Sequence, residues 1–247
     1  MIHYHGTPVG GTRADAAAFL MGRHALVSFA RPDDMAVVAD VCQSFCLDNG
    51  AYTTWKKGQP LEFMEYVKWV RDWHMHPAFD WCLIPDVIDG DEAANDELLG
   101  QWTDECSDIV GVPVWHMHES IDRLAALACR WPRVALGSSG GWTTPGSASW
   151  WIRIADAMTA ICDEHGRPIT RLHGLRMLDV EVFTRLPLAS ADSTNATVNS
   201  GSIGRFGSYP APTRAQRAAV IAARIEAHNS PATWHWPHQD LFEMDLS

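Results

Sequence analysis

Several features that would narrow the function are absent from this chain of 247 residues. No apolar run approaches the roughly 18 residues that a membrane-spanning helix needs, and the Met1–His5 start lacks the basic and apolar regions of a secretory signal. Basic residues are scarce, because 19 Lys and Arg stand against 30 Asp and Glu. We therefore expect an intracellular protein with little non-specific affinity for nucleic acid, since phosphate contacts dominate that affinity.

The six cysteines lack the spacing of a metal or redox site. None forms Cys-x-x-Cys, the spacing typical of zinc ribbons and redox pairs. Several lie inside apolar runs, where cysteine usually acts as a small buried hydrophobe. The expectation is reduced, structural thiols.

What the chain does contain is an alternation of short apolar runs with amphipathic segments. Eight runs are predicted strands, at 2–5, 25–29, 44–47, 79–84, 112–116, 133–136, 169–173 and 188–191. The predicted helices are 13–22, 33–41, 60–75, 91–109, 119–130, 147–164, 175–185 and 213–228. Strands joined by helices pair in parallel through right-handed crossovers, and closing eight of them into a barrel leaves no edge strand.

The predicted fold class is therefore α/β, a (β/α)8 TIM barrel that forms a single domain over residues 1–247. Its C-terminal helix and tail begin at about residue 200. An open doubly wound sheet is the alternative, but no Gly-x-Gly-x-x-Gly follows the first strand.

Polar residues gather where the predicted strands end, which is where such barrels place their active sites. They are His5, Asp48, Asp86, His116, Ser138, His173 and Asp192. Three carboxylates around one barrel mouth suit acid/base work together with a nucleophile or a hydrogen-bond acceptor. The alternative for each aspartate is a helix cap or an Asx turn.

Histidines raise a rival interpretation, because His-x-His occurs at His3/His5 and at His116/His118. The set formed by His3, His5, His116, His173 and Asp192 resembles the ligand set of metal-dependent amidohydrolase barrels. The bridging lysine expected on the fourth strand is missing, so no metal is expected.

The order of these motifs resembles the queuine/archaeosine tRNA-guanine transglycosylase family, over roughly residues 1–200, and in particular its DNA-modifying phage and bacterial relatives. Leu47-Asp48-Asn49-Gly50-Ala51-Tyr52 is similar to the family's Asp-Ser-Gly-Gly/Ala-aromatic motif. Ser190-Ala191-Asp192-Ser193-Thr194 is similar to the Asp-Ser motif of its DNA-type and archaeal-type members. The resemblance implies that Asp192 is the nucleophile, Asp48 the general acid/base and Tyr52 a ring that stacks on the base.

The resemblance also implies a set of base-binding residues. Asp86 matches the aspartate that binds the N1/N2 edge of guanine, and His116 stands where many relatives carry glutamine. His173 falls where a side chain covers the opposite face of the base. The loop that resembles the family's Leu-Gly-Gly loop consists of Gly137, Ser138, Ser139 and Gly140.

One departure from the family narrows the expected substrate. No cysteine follows Cys162, so the zinc subdomain of the tRNA enzymes is not expected. This favours a compact enzyme that exchanges guanine in DNA for a 7-deazaguanine such as 7-cyano-7-deazaguanine, without a cofactor. The expected phosphate contacts are Lys56, Lys57, Arg176 and Arg205.

The expected setting is the cytoplasm of a bacterium or a phage-infected host cell, with no membrane partner and with a helper protein or a homodimer as an open question. The alternatives that stay open are a tRNA-guanine transglycosylase, a metal-dependent amidohydrolase-like barrel and a catalytically silent barrel that binds bases.

Overall fold

The structure is a computed structural model that describes residues 1–208 and 210–235. Within these ranges, nine strands alternate with ten α-helices, and every strand pair is parallel. The strands are β1 (Ile2–Gly6), β2 (His24–Ser28), β3 (Ser44–Asp48), β4 (Phe79–Leu83), β5 (Gly111–Val112), β6 (Val114–His116), β7 (Arg133–Gly137), β8 (Arg171–Gly174) and β9 (Ser190–Ser193).

The helices connect the strands on the outside of the sheet. They are α1 (Arg13–Leu20), α2 (Met35–Val41), α3 (Ala51–Lys56), α4 (Phe63–Trp73), α5 (Glu92–Glu105), α6 (Ile121–Arg130), α7 (Ala148–Ile161), α8 (Val180–Phe183), α9 (Asn195–Asn199) and α10 (Arg214–Glu226). Short 3-10 helices span Gly140–Trp142 and Ile203–Phe206. No helix within the described residues is long and apolar enough to cross a membrane.

The sheet curls into a nearly closed barrel. Its strand order is β5-β4-β3-β2-β1-β9-β8-β7-β6, so the two strands at the ends of the order are neighbours in the chain. Only Pro113 separates β5 from β6, and proline has no amide hydrogen to donate to a strand ladder. The predicted fifth strand is therefore split in two at Pro113, while the other predicted strands are found within a few residues of their expected ends.

Most predicted helices are confirmed, and local capping explains where several begin. Thr12 and Thr213 each form a capping box at the start of α1 and α10. Ser120 caps α6 by accepting a hydrogen bond from the amide of Arg123. The predicted helix 175–185 is wrong over its first half, because Arg176 has φ 59° and only Val180–Phe183 is helical. The short helices α3 and α9 were not predicted.

The hydrophobic core has two parts. A smaller part fills the barrel interior and includes Tyr4, Cys46, Trp81 and Leu83. A larger part lies between the strands and the surrounding helices. α10 packs against α1 and α9. The predicted tail beyond residue 235 lies outside the described residues.

Candidate active site

Three carboxylates gather at the carboxyl ends of the parallel strands. Asp48 is the last residue of β3, Asp86 follows β4, and Asp192 is the third residue of β9. The charges of Asp192 and Asp86 both act on Asp48, so the three groups share one electrostatic environment. Asp86 and Asp192 are buried, and Asp48 is half-buried.

The surroundings of Asp48 change the ionisation of its carboxyl group. Burial raises its pKa to about 7, and the negative charges of Asp192 and Asp86 act in the same direction. The hydroxyl of Ser28 and the amide of Gly50 partly oppose this by stabilising the carboxylate. A carboxyl group that titrates near neutral pH can both give and take a proton under ordinary conditions.

The turn after Asp48 depends on glycine. Gly50 has φ 79°, in the left-handed region, and a Cβ atom there would lie 2.9 Å from both the Cβ and the backbone nitrogen of Ala30. The turn places the Gly50 amide 3.3 Å from Oδ2 of Asp48. It also leads directly into α3, which carries Tyr52 and Lys56.

Asp86 is held from two sides. Asn49 donates from Nδ2 to Oδ1 of Asp86 over 2.6 Å, and Nε2 of His116 lies 2.8 Å from Oδ2. Burial alone would lower the pKa of His116, but the hydrogen bond and charge of Asp86, with the charge of Glu119, outweigh burial and raise it. The imidazolium form of His116 is therefore more favoured than in a free histidine, and Nε2 is the donor to the Asp86 carboxylate.

Buried polar side chains around Asp86 and His116 hold these two residues in place. Glu119 accepts hydrogen bonds at Oε2 from the amide of His116 over 2.8 Å and from Nη1 of Arg123 over 3.1 Å. Its Oε1 accepts from Asn95 over 2.9 Å, and Asn95 also accepts from the amide of Val87, next to Asp86. Glu119 thus connects the strand that carries His116 to the loop that carries Asp86.

Asp192 is held by the backbone amide of Arg176 and lies beside a buried histidine. The amide of Arg176 donates to Oδ1 over 2.9 Å, and Nε2 of His173 lies 3.3 Å from the same oxygen. Burial lowers the pKa of His173, so that this imidazole favours the neutral form. His173 packs edge-on against Trp81 inside the barrel, with ring centroids 4.7 Å apart, and so lies beneath the site.

Tyr52, Lys56 and Arg176 form a cluster at the rim. The Nζ of Lys56 and the Cζ of Arg176 each lie 4.7 Å from the centroid of the Tyr52 ring. The cations of Lys56 and Arg176 stabilise the phenolate and lower the pKa of Tyr52. Lys57 follows at the end of α3 and is exposed.

Arg205 is exposed in the second 3-10 helix, Ile203–Phe206. Of the four predicted phosphate contacts, the structure gathers Lys56 and Arg176 around the ring of Tyr52.

The glycine-rich loop after β7 is tied to its neighbours by side chains. Ser138 accepts a hydrogen bond from Nε1 of Trp150 over 2.9 Å. Nε2 of His118 lies 2.9 Å from the carbonyl of Gly90, so that nitrogen is the donor. The hydroxyl of Ser139 then donates to Nδ1 of His118 over 2.7 Å.

The histidines that suggested a metal site lie on opposite sides of the barrel wall. His3 and His5 contact α10 and its end, at the carbonyl of His228 over 3.1 Å and at Oε1 of Glu226 over 2.8 Å. His116 is hydrogen-bonded to Asp86 instead, and His173 lies beside Asp192. Within the described ranges, no group of three or more His, Cys, Asp or Glu is arranged to hold a metal ion.

Sequence reasoning missed several residues that shape the site. Ser28 pairs with Asp48 in the β2–β3 register, and Asn49 and Glu119 hold Asp86 and His116. Asn49 stands next to Asp48 in the sequence, which is a usable signal. In the sequence, Glu119 looks like an acidic residue at the start of a helix. Only the folded structure shows that it is buried.

Comparisons with protein-family models, with curated proteins and with solved structures find no match to this chain. An inference about function therefore depends on the geometry and the chemistry of the site. Its main features are three converging carboxylates, one of which titrates near neutral pH, beside an exposed aromatic ring flanked by cations.

Proposed function

We propose that the chain is a single-domain TIM barrel without a zinc subdomain. If β5 and β6 are counted as one strand interrupted by Pro113, the barrel has eight parallel strands in ring order. Helices connect successive strands, and the polar residues gather at the carboxyl ends, as in enzymes of this architecture.

We propose further that it is a pentosyltransferase that exchanges guanine in DNA for a 7-deazaguanine base. The observation that carries this proposal is the pair Asp48 and Asp192. Burial brings the pKa of Asp48 to about 7, whereas Asp192 accepts a hydrogen bond from the amide of Arg176. Two carboxyl groups in different environments at one site can divide the roles of proton carrier and nucleophile.

The reaction would consist of two displacements at C1′ of the deoxyribose. A carboxylate oxygen of Asp192 attacks C1′, the bond to guanine breaks, and protonated Asp48 gives its proton to the departing base. The incoming base then loses a proton to Asp48 and attacks C1′, which releases Asp192. Two inversions give net retention, and each enzyme group ends as it began.

The base would be read by Asp86. A carboxylate has about four acceptor positions, and Asn49 and His116 each use one, so that positions remain for the N1–H and N2–H donors of guanine. The peptide groups of Gly137 and Gly140, together with Ser138 and Ser139, would contact the O6 and 7-substituent side. Tyr52 would stack on the base, and His173 supports Asp192 from below.

The DNA backbone would contact Lys56, Lys57, Arg176 and Arg205. A target base within a duplex has to be flipped out, at a cost of a few kcal/mol, or has to come from a single strand. Exchange of guanine in tRNA would follow the same chemistry. The two activities are distinguished by offering DNA and tRNA as separate substrates.

The decisive experiment measures incorporation of labelled guanine and of 7-cyano-7-deazaguanine into single-stranded DNA, duplex DNA and tRNA. We expect incorporation into DNA, together with a covalent protein–DNA adduct that can be trapped under denaturing conditions. Asp192→Asn should abolish both signals, because an amide is a poor nucleophile.

The matched control is Asp122→Asn on the exposed side of α6, which should behave like the unaltered protein. An adduct that persists in Asp192→Asn would contradict the nucleophile assignment. Incorporation into tRNA alone would contradict DNA as the substrate.

A further inference from the structure

We infer that Trp55 and Tyr52, flanked by Lys56 and Arg176, form a stacking surface that binds single-stranded DNA, with the Trp55 ring against the base next to the exchanged guanine. This inference rests on the proposed function and specifies the form of its substrate. It assigns a binding role to Trp55, which is not one of the residues that contact the guanine itself.

The exposure of Trp55 is the first observation. Of the tryptophans in the part of the chain that the structure describes, Trp55 alone is exposed, at 43%. Others, such as Trp81 and Trp115, are buried in the core. A single exposed apolar side chain needs no explanation, but Trp55 adjoins a second exposed ring, Tyr52, and contiguous exposed apolar patches mark binding sites.

The position of Trp55 relative to the site is the second observation. Its ring centroid lies 5.9 Å from that of Tyr52, at an interplanar angle of 37°. Tyr52 is itself 38% exposed. The short helix α3 that carries both rings begins three residues after Asp48, so the two rings extend from the carboxylates onto the surface.

The charges around the rings are the third observation. The chain carries a formal net charge of −11, yet two of its three lysines, Lys56 and Lys57, stand directly after Trp55. Arg176 adds a third cation over the Tyr52 ring. Exposed rings next to cations combine base stacking with phosphate attraction, which is the way that single-strand binding proteins hold their ligand.

Arg176 joins this surface to the proposed nucleophile. It is the one non-glycine residue with positive φ among those described, at 59°, a conformation that side-chain-bearing residues adopt only under constraint. In this conformation its amide binds Asp192 and its guanidinium lies over Tyr52. A strand held on the rings is therefore also placed next to the carboxylate that would attack it.

The rings favour a single strand because a base inside a duplex has both faces covered by its neighbours. Only an unstacked base can offer a face to Trp55. Removing an aromatic side chain that stacks on one base weakens binding roughly 5- to 150-fold.

The test is a fluorescence anisotropy titration with a labelled oligothymidylate of about ten nucleotides, which contains no guanine and so reports on binding that does not require the guanine-reading residues. We expect the full chain to bind this probe and to bind a blunt duplex of equal length much more weakly. Trp55→Ala should weaken binding of the single strand roughly 5- to 150-fold, and Trp55→Phe should retain most of it.

Met75→Ala is the matched control, because Met75 is 82% exposed and lies after α4, on the way into β4. It should leave binding unchanged. Thermal unfolding followed by circular dichroism verifies that each variant folds. No binding of the probe, equal binding by Trp55→Ala, or equal affinity for the duplex would each overturn the inference.

The exchange assay separates this inference from the proposed function. If Trp55→Ala changes neither KM nor kcat for guanine exchange in DNA, the stacking role is overturned and the transglycosylase proposal stands. Binding of the probe that depends on Trp55, without exchange into any nucleic acid, would support the stacking surface and contradict the transglycosylase.

Discussion

Asp48 shows how strongly a single residue depends on neighbours that are distant in the sequence. Burial and the charges of Asp86 and Asp192 raise its pKa to about 7, from a reference value of 3.8. The carboxyl group is therefore more stable protonated in the folded chain than in the unfolded chain. By linkage, folding loses stability as the pH rises from about 4 through 7, because Asp48 then ionises inside the protein.

Asp48→Asn should accordingly stabilise the fold above neutral pH. We expect a gain in the free energy of unfolding of about 2 kcal/mol at pH 8, after allowance for the solvent that reaches this half-buried group, and almost none at pH 4. Urea denaturation at the two pH values measures the difference. The same variant should lose guanine exchange. An equal effect on stability at both pH values would contradict the raised pKa.

His116 should show the opposite dependence on pH. Its raised pKa means that the imidazolium stabilises the fold below about pH 6.5, and that this contribution is lost as the pH rises through the folded pKa. His116→Gln should therefore lower the free energy of unfolding by about 1–3 kcal/mol at pH 6 and by less at pH 9.

The control for this comparison is His165→Gln, because the His165 side chain is 70% exposed and its ion pair is with the exposed Glu164. Thermal unfolding at the two pH values should show a small, constant effect for this variant. A loss for His116→Gln that grows with pH would contradict the assigned charge state.

At the scale of secondary-structure elements, the conformation of the loop after β7 requires glycine at position 140. Gly140 has φ 56°, and a Cβ atom there would lie 2.9 Å from Cβ of His118. The same loop holds Ser139 against His118, so its shape determines how β6 and β7 present their ends to the site. Gly141, one residue later, lacks a positive φ, and a Cβ atom there would meet no neighbouring atom within 4 Å.

Gly140→Ala should therefore destabilise the fold by about 1–3 kcal/mol, since it adds both backbone strain and a close contact. Gly141→Ala serves as the control and should change stability by less than about 1 kcal/mol. Chemical denaturation of both variants gives the comparison. Equal stabilities of Gly140→Ala and Gly141→Ala would show that the loop adapts to a side chain and does not hold His118 in place.

The elements also show where sequence patterns are reliable. Runs of buried apolar residues at the strands and capping residues such as Ser120 act locally, so the strands and most helices could be predicted. The segment after β8 could not, because the amide of Arg176 binds Asp192 and the amide of Leu178 binds its carbonyl. Those contacts come from β9, which is distant in the sequence, and they replace the first turns of the predicted helix.

At the scale of the whole molecule, an acidic chain presents cations next to its candidate site. The formal net charge is −11, but Lys56 and Arg176 flank the Tyr52 ring at the rim, and Lys57 follows Lys56 in the chain. Binding of a polyanion would therefore depend on a local field, while the remaining surface repels it.

Affinity for single-stranded DNA should fall as the salt concentration rises. Each phosphate contact contributes about −0.7 to the slope of log K against log salt, so three or four contacts predict a slope of about −2 to −3. Lys57→Ala should reduce the magnitude of the slope by about 0.7. Lys68→Ala, on the exposed side of α4, is the control and should not change it. A slope near zero would contradict the proposed phosphate contacts.

Local sequence patterns are sufficient to predict the alternation of strands and helices and the placement of Asp48, Asp86 and Asp192 at strand ends. These features follow from short-range hydrophobic periodicity and from the parallel pairing that helical connections impose. The ionisation of Asp48 and His116, the buried position of Glu119 and the separation of His3 and His5 from the site depend on the tertiary structure. They do so because burial and charge act through space, between residues that only the curling of the sheet brings together.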